Sequence, residues 1–445
     1  MHAQGGGPSR PWRERPAGGA AMIFDPAAEC MPVAERQKAQ AEALRRTVAT
    51  AYASVPFYRT RLDAARVAPA AFSGLPELLR IPFTTKSDLR DHYPFGLLAV
   101  PREQVARVHA SSGTRGRPTI APYTRADVQL WADLCARSLA LAGAMPGDVV
   151  HVAYGYGLFT GGLGLHYGAE RLGCAVVPAS AGQSQRQVTL LRDLGAVGLA
   201  CTPSYALHLA EVAAGSVRLR FGIHGAEPWT DAMRARIEAA FGCDAVDIYG
   251  LSEVIGPGVA CECREAKSGL HIQEDAFLAE VVDPGSGRPL ADGEVGELVL
   301  TTLRKEAMPL LRYRTGDLCS LTRESCRCGR TTARMSRVKG RVDDMLIVRG
   351  VNVFPSEIEA VVLESPGLAP HYQVVLTRTD SLDHLELQVE WGGPPPSDAG
   401  PARAELTHRL FERLGLHADV TIHAPGSLPR SEGKAVRVLD RRAPA

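Results

Sequence analysis

Among the 445 residues no uninterrupted apolar run reaches the roughly 18 to 20 needed to cross a bilayer, which excludes a membrane-spanning helix. Neither charge is in excess. Fifty Lys plus Arg face 49 Asp plus Glu and the basic residues are scattered, so nothing points to a nucleic-acid partner. Ten cysteines are too few in a chain of this length for a disulfide scaffold, and no Cys-x-x-Cys pair occurs, so the expected compartment is a reducing cytoplasm. The Gly-x-x-x-x-Gly-Lys-Ser/Thr phosphate loop is missing, as is any internal repeat. Residues 1–21 are rich in Gly, Pro and Arg and lack an apolar stretch, which predicts a disordered tail rather than a secretory signal, with the fold starting near Met22. Lysine is scarce beside arginine, a bias expected of a GC-rich genome, and this makes each lysine informative.

What is present alternates. Apolar positions at helical spacing between Pro32 and Leu62 predict a helix packed on the main body. Short Val-, Ile- and Ala-rich runs (149–153, 173–178, 197–201) separated by amphipathic stretches such as 187–194 predict parallel α/β layers. From Ala276 to Leu321 the period is two, with Pro, Gly and Asp turns, which predicts an antiparallel β-rich subdomain. Beyond Arg341 a helix (355–363), two strands (372–377, 385–391), a helix (402–414) and a strand (420–423) outline a small α+β unit of about 100 residues, a size typical of an independent domain. The fold class is therefore α/β, a large N-terminal domain of layered sheets with a small α+β C-terminal domain.

Five short motifs stand in order: Ser111-Ser112-Gly113-Thr114 with Gly116, Tyr249-Gly250-Leu251-Ser252-Glu253, Tyr313-Arg314-Thr315-Gly316-Asp317, Gly340-Arg341-Val342-Asp343-Asp344, and Lys434. Hydroxyls and main-chain amides in a Gly-permitted turn such as 111–116 can surround phosphate oxygens. With AYGYGLFTGGLG (153–164), GAEPWT (225–230) and GRVDDMLIVRGVNVFP (340–355), these motifs resemble the adenylate-forming superfamily of acyl-CoA synthetases and, within it, the phenylacetate-CoA ligase family, from Met22 to the end.

The resemblance implies an AMP-binding adenylation domain at 22–340, a mobile lid at 341–445, and a cytoplasmic ligase that uses ATP, Mg²⁺ and coenzyme A. Ser111, Ser112, Gly113, Thr114, Gly116 and Ser252 would donate to phosphates, and Glu253 would bind Mg²⁺. Asp317 and Arg341 would hold the ribose, while Tyr249, Gly250 and the main chain of Gly225, Ala226 and Glu227 would wall the adenine. Lys434 would bridge carboxylate and α-phosphate, and Asp343 would be the hinge about which the lid turns. Arg115 and Arg117 depart from the family pattern in the phosphate loop but keep positive charge.

Tyr154, Tyr156, Phe159 and Gly162 suggest an acyl pocket with apolar ring faces and room beside glycines. His224 stands where relatives carry an apolar aromatic. An imidazole there would bind a hydroxyl or amino substituent, so a hydroxy- or aminobenzoate enzyme passing its acyl group to another thiol or an amine is the alternative to phenylacetate. A nucleotide-binding regulator without turnover would be expected to lack Lys434 or Glu253, and both are present. Cys263, His271, Cys326 and Cys328 could close a tetrahedral site for structural Zn²⁺, with Cys261 the alternative to Cys263 and buried free thiols the plain reading. A homodimer is compatible with the sequence.

Overall fold

The computed structural model describes residues 21–111, 118–342, 346–349, 351–379, 382–429 and 437–442. Its centre is a nine-stranded sheet in the spatial order Leu321–Thr322, Arg334–Met335, Leu270–Ile272, Gly256–Glu262, Asp244–Leu251, Phe221–Gly225, Gly198–Cys201, Val149–Val152, Ala175–Val177. The last five are parallel and the first five antiparallel, with Asp244–Leu251 shared by both halves. Parallel neighbours need crossovers, and the helices Gly161–Leu172, Ser184–Asp193, Pro203–Ala213 and Asp231–Phe241 supply them.

Side chains alternate across this sheet. Val150, Val152, Tyr154, Ile223, Val246 and Ile248 pack with Leu139, Leu165 and Ala169 of the helices Arg125–Ala142 and Gly161–Leu172. Leu199, Cys201 and Ala245 pack on the opposite face with Leu191, Tyr205, Leu209, Met233 and Ile237. The long helix Arg125–Ala142 starts at a capping box between Thr124 and Asp127 and stops at Gly143, whose φ of 98° needs glycine.

A second, antiparallel sheet joins Phe277–Val282, Gly296–Thr302, Tyr313–Cys319 and Gly340–Arg341, matching the period-two pattern. The single helix expected over 32–62 is two, Val33–Ser54 and Pro56–Ala64. Proline disfavours the helical region for its predecessor, and Val55 is extended (φ −117°, ψ 105°).

In the small domain the sheet runs Asp419–His423, Leu382–Trp391, Leu368–Thr379, Val438–Asp440. The helices Pro355–Leu363 and Gly400–Leu414 cover it through Ile358, Val362, Leu406 and Leu410. Leu363 packs against the large domain's second core, and His371 Nε2 lies 4.0 Å from Glu211.

Candidate active site

Strand Asp244–Leu251 ends in a tight turn that carries Ser252 and Glu253, both nearly buried. Gly250 is required just before it, because a Cβ there would stand 1.9 Å from the Gly256 carbonyl of the antiparallel neighbour. Ser111, at the end of its own strand, donates through Oγ to Glu253 Oε1 at 2.9 Å, and Lys86 Nζ lies 3.3 Å from the same oxygen. Thr160 Oγ1 meets Ser252 Oγ at 3.1 Å. From below, Tyr123 donates its hydroxyl to the Ser252 carbonyl (3.4 Å) and Lys305 Nζ donates to the Glu253 carbonyl (3.1 Å). Burial pushes the Lys305 ammonium down to about 8, against the pull of Asp127 and Glu253. The turn is thus an acidic side chain fixed among hydroxyls and the Lys86 ammonium, with Lys305 beneath it on the main chain, a surface suited to polyphosphate and a hard cation.

Four residues back from Glu253, Tyr249 donates its hydroxyl to Asp317 Oδ2 at 2.6 Å. Arg341, the antiparallel partner of Asp317, binds Oδ1 and also donates to the Thr315 carbonyl. Burial and the Asp317 carboxylate hold the Tyr249 phenol well above its usual range, so it stays a donor. The neighbouring strand delivers Gly225 and Ala226: Gly225 is fitted so closely that a Cβ would be 2.1 Å from the Ile248 carbonyl, and Ala226 has φ 69°. Glu227 turns its carboxylate to Ser204, accepting from its Oγ (2.6 Å) and its amide (3.3 Å).

The loop 153–160 joins both groups. Tyr154 donates to the Gly225 carbonyl at 3.3 Å, and its ring lies 6.3 Å from that of the half-exposed Phe159. Gly162 lies so close to Gly155 that a Cβ would be 2.7 Å from its carbonyl. Tyr156 meets His166 Nδ1 at 3.3 Å, and His166 Nε2 is 3.3 Å from Glu170.

His224 does not join them. Strand alternation turns its ring to the opposite face of the sheet from Tyr154, where Nδ1 faces the Cys201 carbonyl (3.1 Å) and the ring meets Trp229 edge-on at 5.7 Å. It is fully buried, Nε2 has no hydrogen-bond partner, and burial lowers its pKa to about 4. The expectation that it lines the acyl pocket is corrected. Ser112, Gly113, Thr114, Gly116, Asp343 and Lys434 lie outside the described residues.

Away from this site, one ligand atom from each of Cys263, His271, Cys326 and Cys328 lies within 4.8 Å of all the others. Cys263 and Cys326 sulfurs are 3.7 Å apart and Cys328 Sγ is 3.3 Å from His271 Nε2. A tetrahedron with Zn–S bonds of about 2.3 Å has edges of about 3.8 Å, so these two separations are of the size a zinc site needs and the four donors have to draw in only slightly. His271 Nδ1 meets Thr332 Oγ1 at 3.1 Å, fixing the ring as outer partners do in metal sites. Hydrogen bonding to Cys263 holds Cys328 far below the usual thiol range. Cys261, by contrast, points its sulfur at the Ser138 carbonyl and takes no part.

Residues 19–303 match the AMP-binding enzyme family model and residues 350–442 match the AMP-binding enzyme C-terminal domain. The chain is 52% identical to a phenylacetate-coenzyme A ligase of Thermus thermophilus, over 95% of this chain and 100% of the relative. Identity to the Escherichia coli phenylacetate-coenzyme A ligase is 51%, over 93% and 97%. The chain belongs to the phenylacetate-CoA ligase family. A solved relative of this AMP-forming acid–thiol ligase, a 2-hydroxyisobutyryl-CoA ligase 33% identical, superposes with a TM-score of 0.88 in its postadenylation state, over 96% of this chain and 94% of the relative. The same relative in its thioesterification state, 34% identical, scores 0.69 over 94% and 92%, so the ligase has the domain arrangement of the former.

Three residues of the ligase's site escape sequence reading: Lys86, Tyr123 and Lys305 sit in no motif and reach the turn only through the fold. The scarcity of lysine was the one available signal.

Proposed function

We propose that the chain activates phenylacetate with ATP and transfers it to coenzyme A. A carboxylate oxygen attacks the α-phosphorus, pyrophosphate leaves, and a mixed anhydride forms. The coenzyme A thiol then adds to the acyl carbon, loses its proton, and AMP departs with the electron pair of the broken C–O bond. Both steps are limited by positioning and by neutralising charge.

The observation that supports this reading is the pairing of Tyr249 with Asp317 four residues from Glu253, which joins the carboxylate read as the ribose acceptor to the strand that ends in the turn read as the phosphate and cation site. Asp317 accepts from the ribose hydroxyls, Tyr249, Gly250 and the main chain of 225–227 wall the base, and Ser111 and Ser252 with the loop 112–116 receive the phosphates. Glu253 would hold the Mg²⁺ of ATP, which supplies charge neutralisation at the phosphates. Tyr154, Tyr156, Phe159 and Gly162 border the aryl group. Lys434 brings an ammonium to the attacking carboxylate and α-phosphate. Asp343 is the hinge between an adenylation domain, 22–340, and a lid, 341–445, whose turning removes Lys434 before thioester formation.

The hydroxy- or aminobenzoate alternative rested on His224, whose ring lies on the other face of the sheet from Tyr154, and the phenylacetate-coenzyme A ligases that the chain resembles support phenylacetate as the substrate. Zn²⁺ in the Cys263, His271, Cys326 and Cys328 site would be structural, because four protein ligands leave no open position. None of the ten cysteines is in a disulfide, which suits a cytoplasmic protein. AMP release with a panel of phenylacetate, hydroxybenzoates and aminobenzoates, each with and without coenzyme A, tests the reading: turnover should be greatest with phenylacetate plus coenzyme A. Preference for a substituted benzoate would overturn it.

A further inference from the structure

Under the turn that carries Ser252 and Glu253 lies a lysine that the reaction above does not use. Lys305 is 5% exposed and is the only lysine in the buried core of the described residues. A buried ammonium costs several kcal/mol unless it is compensated, and no carboxylate among the described residues is in ion-pair contact with this one. Its contacts are the Glu253 carbonyl at 3.1 Å and the face of Tyr123, 4.7 Å from the ring centroid.

Lys305 and Tyr123 are each anchored by their surroundings. Asp127 accepts from the amides of Glu306 (2.7 Å) and Ala307 (2.9 Å), tying the residues after Lys305 to the start of the helix Arg125–Ala142. Tyr123 stacks on Trp131 at 5.3 Å, and its hydroxyl reaches the Ser252 carbonyl. Two consecutive carbonyls of the turn are therefore held from beneath by side chains that do not face the ligand. The groups above, Ser111 and Lys86, bind the very oxygen of Glu253 that a cation would take.

We propose that Lys305 is a positioning residue for the divalent cation of the adenylation step, fixing with Tyr123 the main chain of Ser252 and Glu253. The Glu253 carboxylate then keeps one orientation when Ser111 and Lys86 give way to cation and phosphate. This rests on the reading of Glu253 as the carboxylate that meets Mg²⁺.

The test is Mn²⁺ binding to the protein with ATP and no acid, followed by electron paramagnetic resonance, for wild type, Lys305→Met, Lys305→Gln, Tyr123→Phe and Glu253→Gln. Outer-shell residues typically change metal affinity by about 10- to 100-fold. Lys305→Met is expected to weaken Mn²⁺ by ~10-fold or more and to raise in parallel the Mg²⁺ needed for half-maximal AMP formation. The KM for the acid and thioester formation from preformed acyl-adenylate should stay within about twofold, which general loosening of the fold would not leave intact. Wild-type Mn²⁺ affinity in folded Lys305→Met overturns the proposal. Where that variant does not fold, Lys305→Gln, which keeps a donor without the charge, and Tyr123→Phe decide in the same way. If Glu253→Gln also keeps wild-type affinity, the assignment of Glu253 fails rather than that of Lys305.

Discussion

The Ser252–Glu253 turn and the Cys263, His271, Cys326, Cys328 cluster each gather polar side chains from distant parts of the chain, yet they are finished differently. The partners of Glu253 are a hydroxyl and the Lys86 ammonium, whose side chain is 37% exposed, both able to move aside for a ligand. In the cluster the four donors face one another, and the outer hydrogen bond from His271 to Thr332 is already made. One arrangement keeps its polar capacity for a substrate. The other turns it inward on itself, and on the proposed zinc reading it serves stability rather than turnover.

That contrast breaks most visibly by mutation on each side. Glu253→Gln should lower kcat/KM by about 100-fold or more while leaving Tm nearly unchanged. Cys328→Ser should do the reverse, lowering Tm by ~5 °C or more with activity per folded molecule kept within about twofold at low temperature. Metal analysis should find about one zinc per chain in the wild type and none in that variant. Loss of activity at unchanged Tm in Cys328→Ser would erase the distinction. A smaller effect is expected at the ribose acceptor: Tyr249→Phe removes one hydrogen bond to Asp317 and should raise the KM for ATP by about 10-fold, read from initial rates.

The smallest effects separate the two faces of the sheet. His224 is held neutral by burial, with its pKa near 4 against a usual 6.5, so the unfolded chain binds the extra proton between these values. Its contribution is fully present above about pH 6.5 and is lost as the pH falls toward 4. Asp247, its partner on the neighbouring strand, is raised by burial and by Glu262 to about 7 from 3.8. There the native state keeps the proton, and the contribution present at low pH is lost as the pH rises through 7. The two slopes oppose each other between pH 4 and 6.5. His224→Phe should therefore improve acid stability, and Asp247→Asn should worsen it relative to neutral pH. Each change is on the order of 1–3 kcal/mol in denaturant titrations. An unchanged preference among acid substrates in His224→Phe would not fit a histidine lining the acyl pocket.

The layered α/β body, the antiparallel subdomain and the small α+β domain were legible because hydrophobic period changes at each junction. The helix Pro355–Leu363 falls at its expected bounds, while Val55–Pro56 breaks what periodicity alone joined. Contiguous motifs such as Tyr249 to Glu253 were legible for the same local reason. His224 was misread because adjacency to the Gly225–Glu227 motif says nothing about which face a strand residue takes. The parity of Phe221 and Ile223, packed on the face of Tyr154, was the signal that assigns His224 to the other. Lys305 and Lys86 sit in no motif and had only the scarcity of lysine to mark them, since only the fold brings them to Glu253, 52 and 167 positions away in the sequence.

The central claim is tested most directly by a single-turnover reaction of the purified protein with phenylacetate, ATP and Mg²⁺, quenched before and after coenzyme A is added. The expected result is phenylacetyl-adenylate and pyrophosphate in about equal amounts to enzyme before coenzyme A, then phenylacetyl-CoA and AMP after it. Formation of ADP and phosphate, or AMP release that does not require the acid, would contradict it.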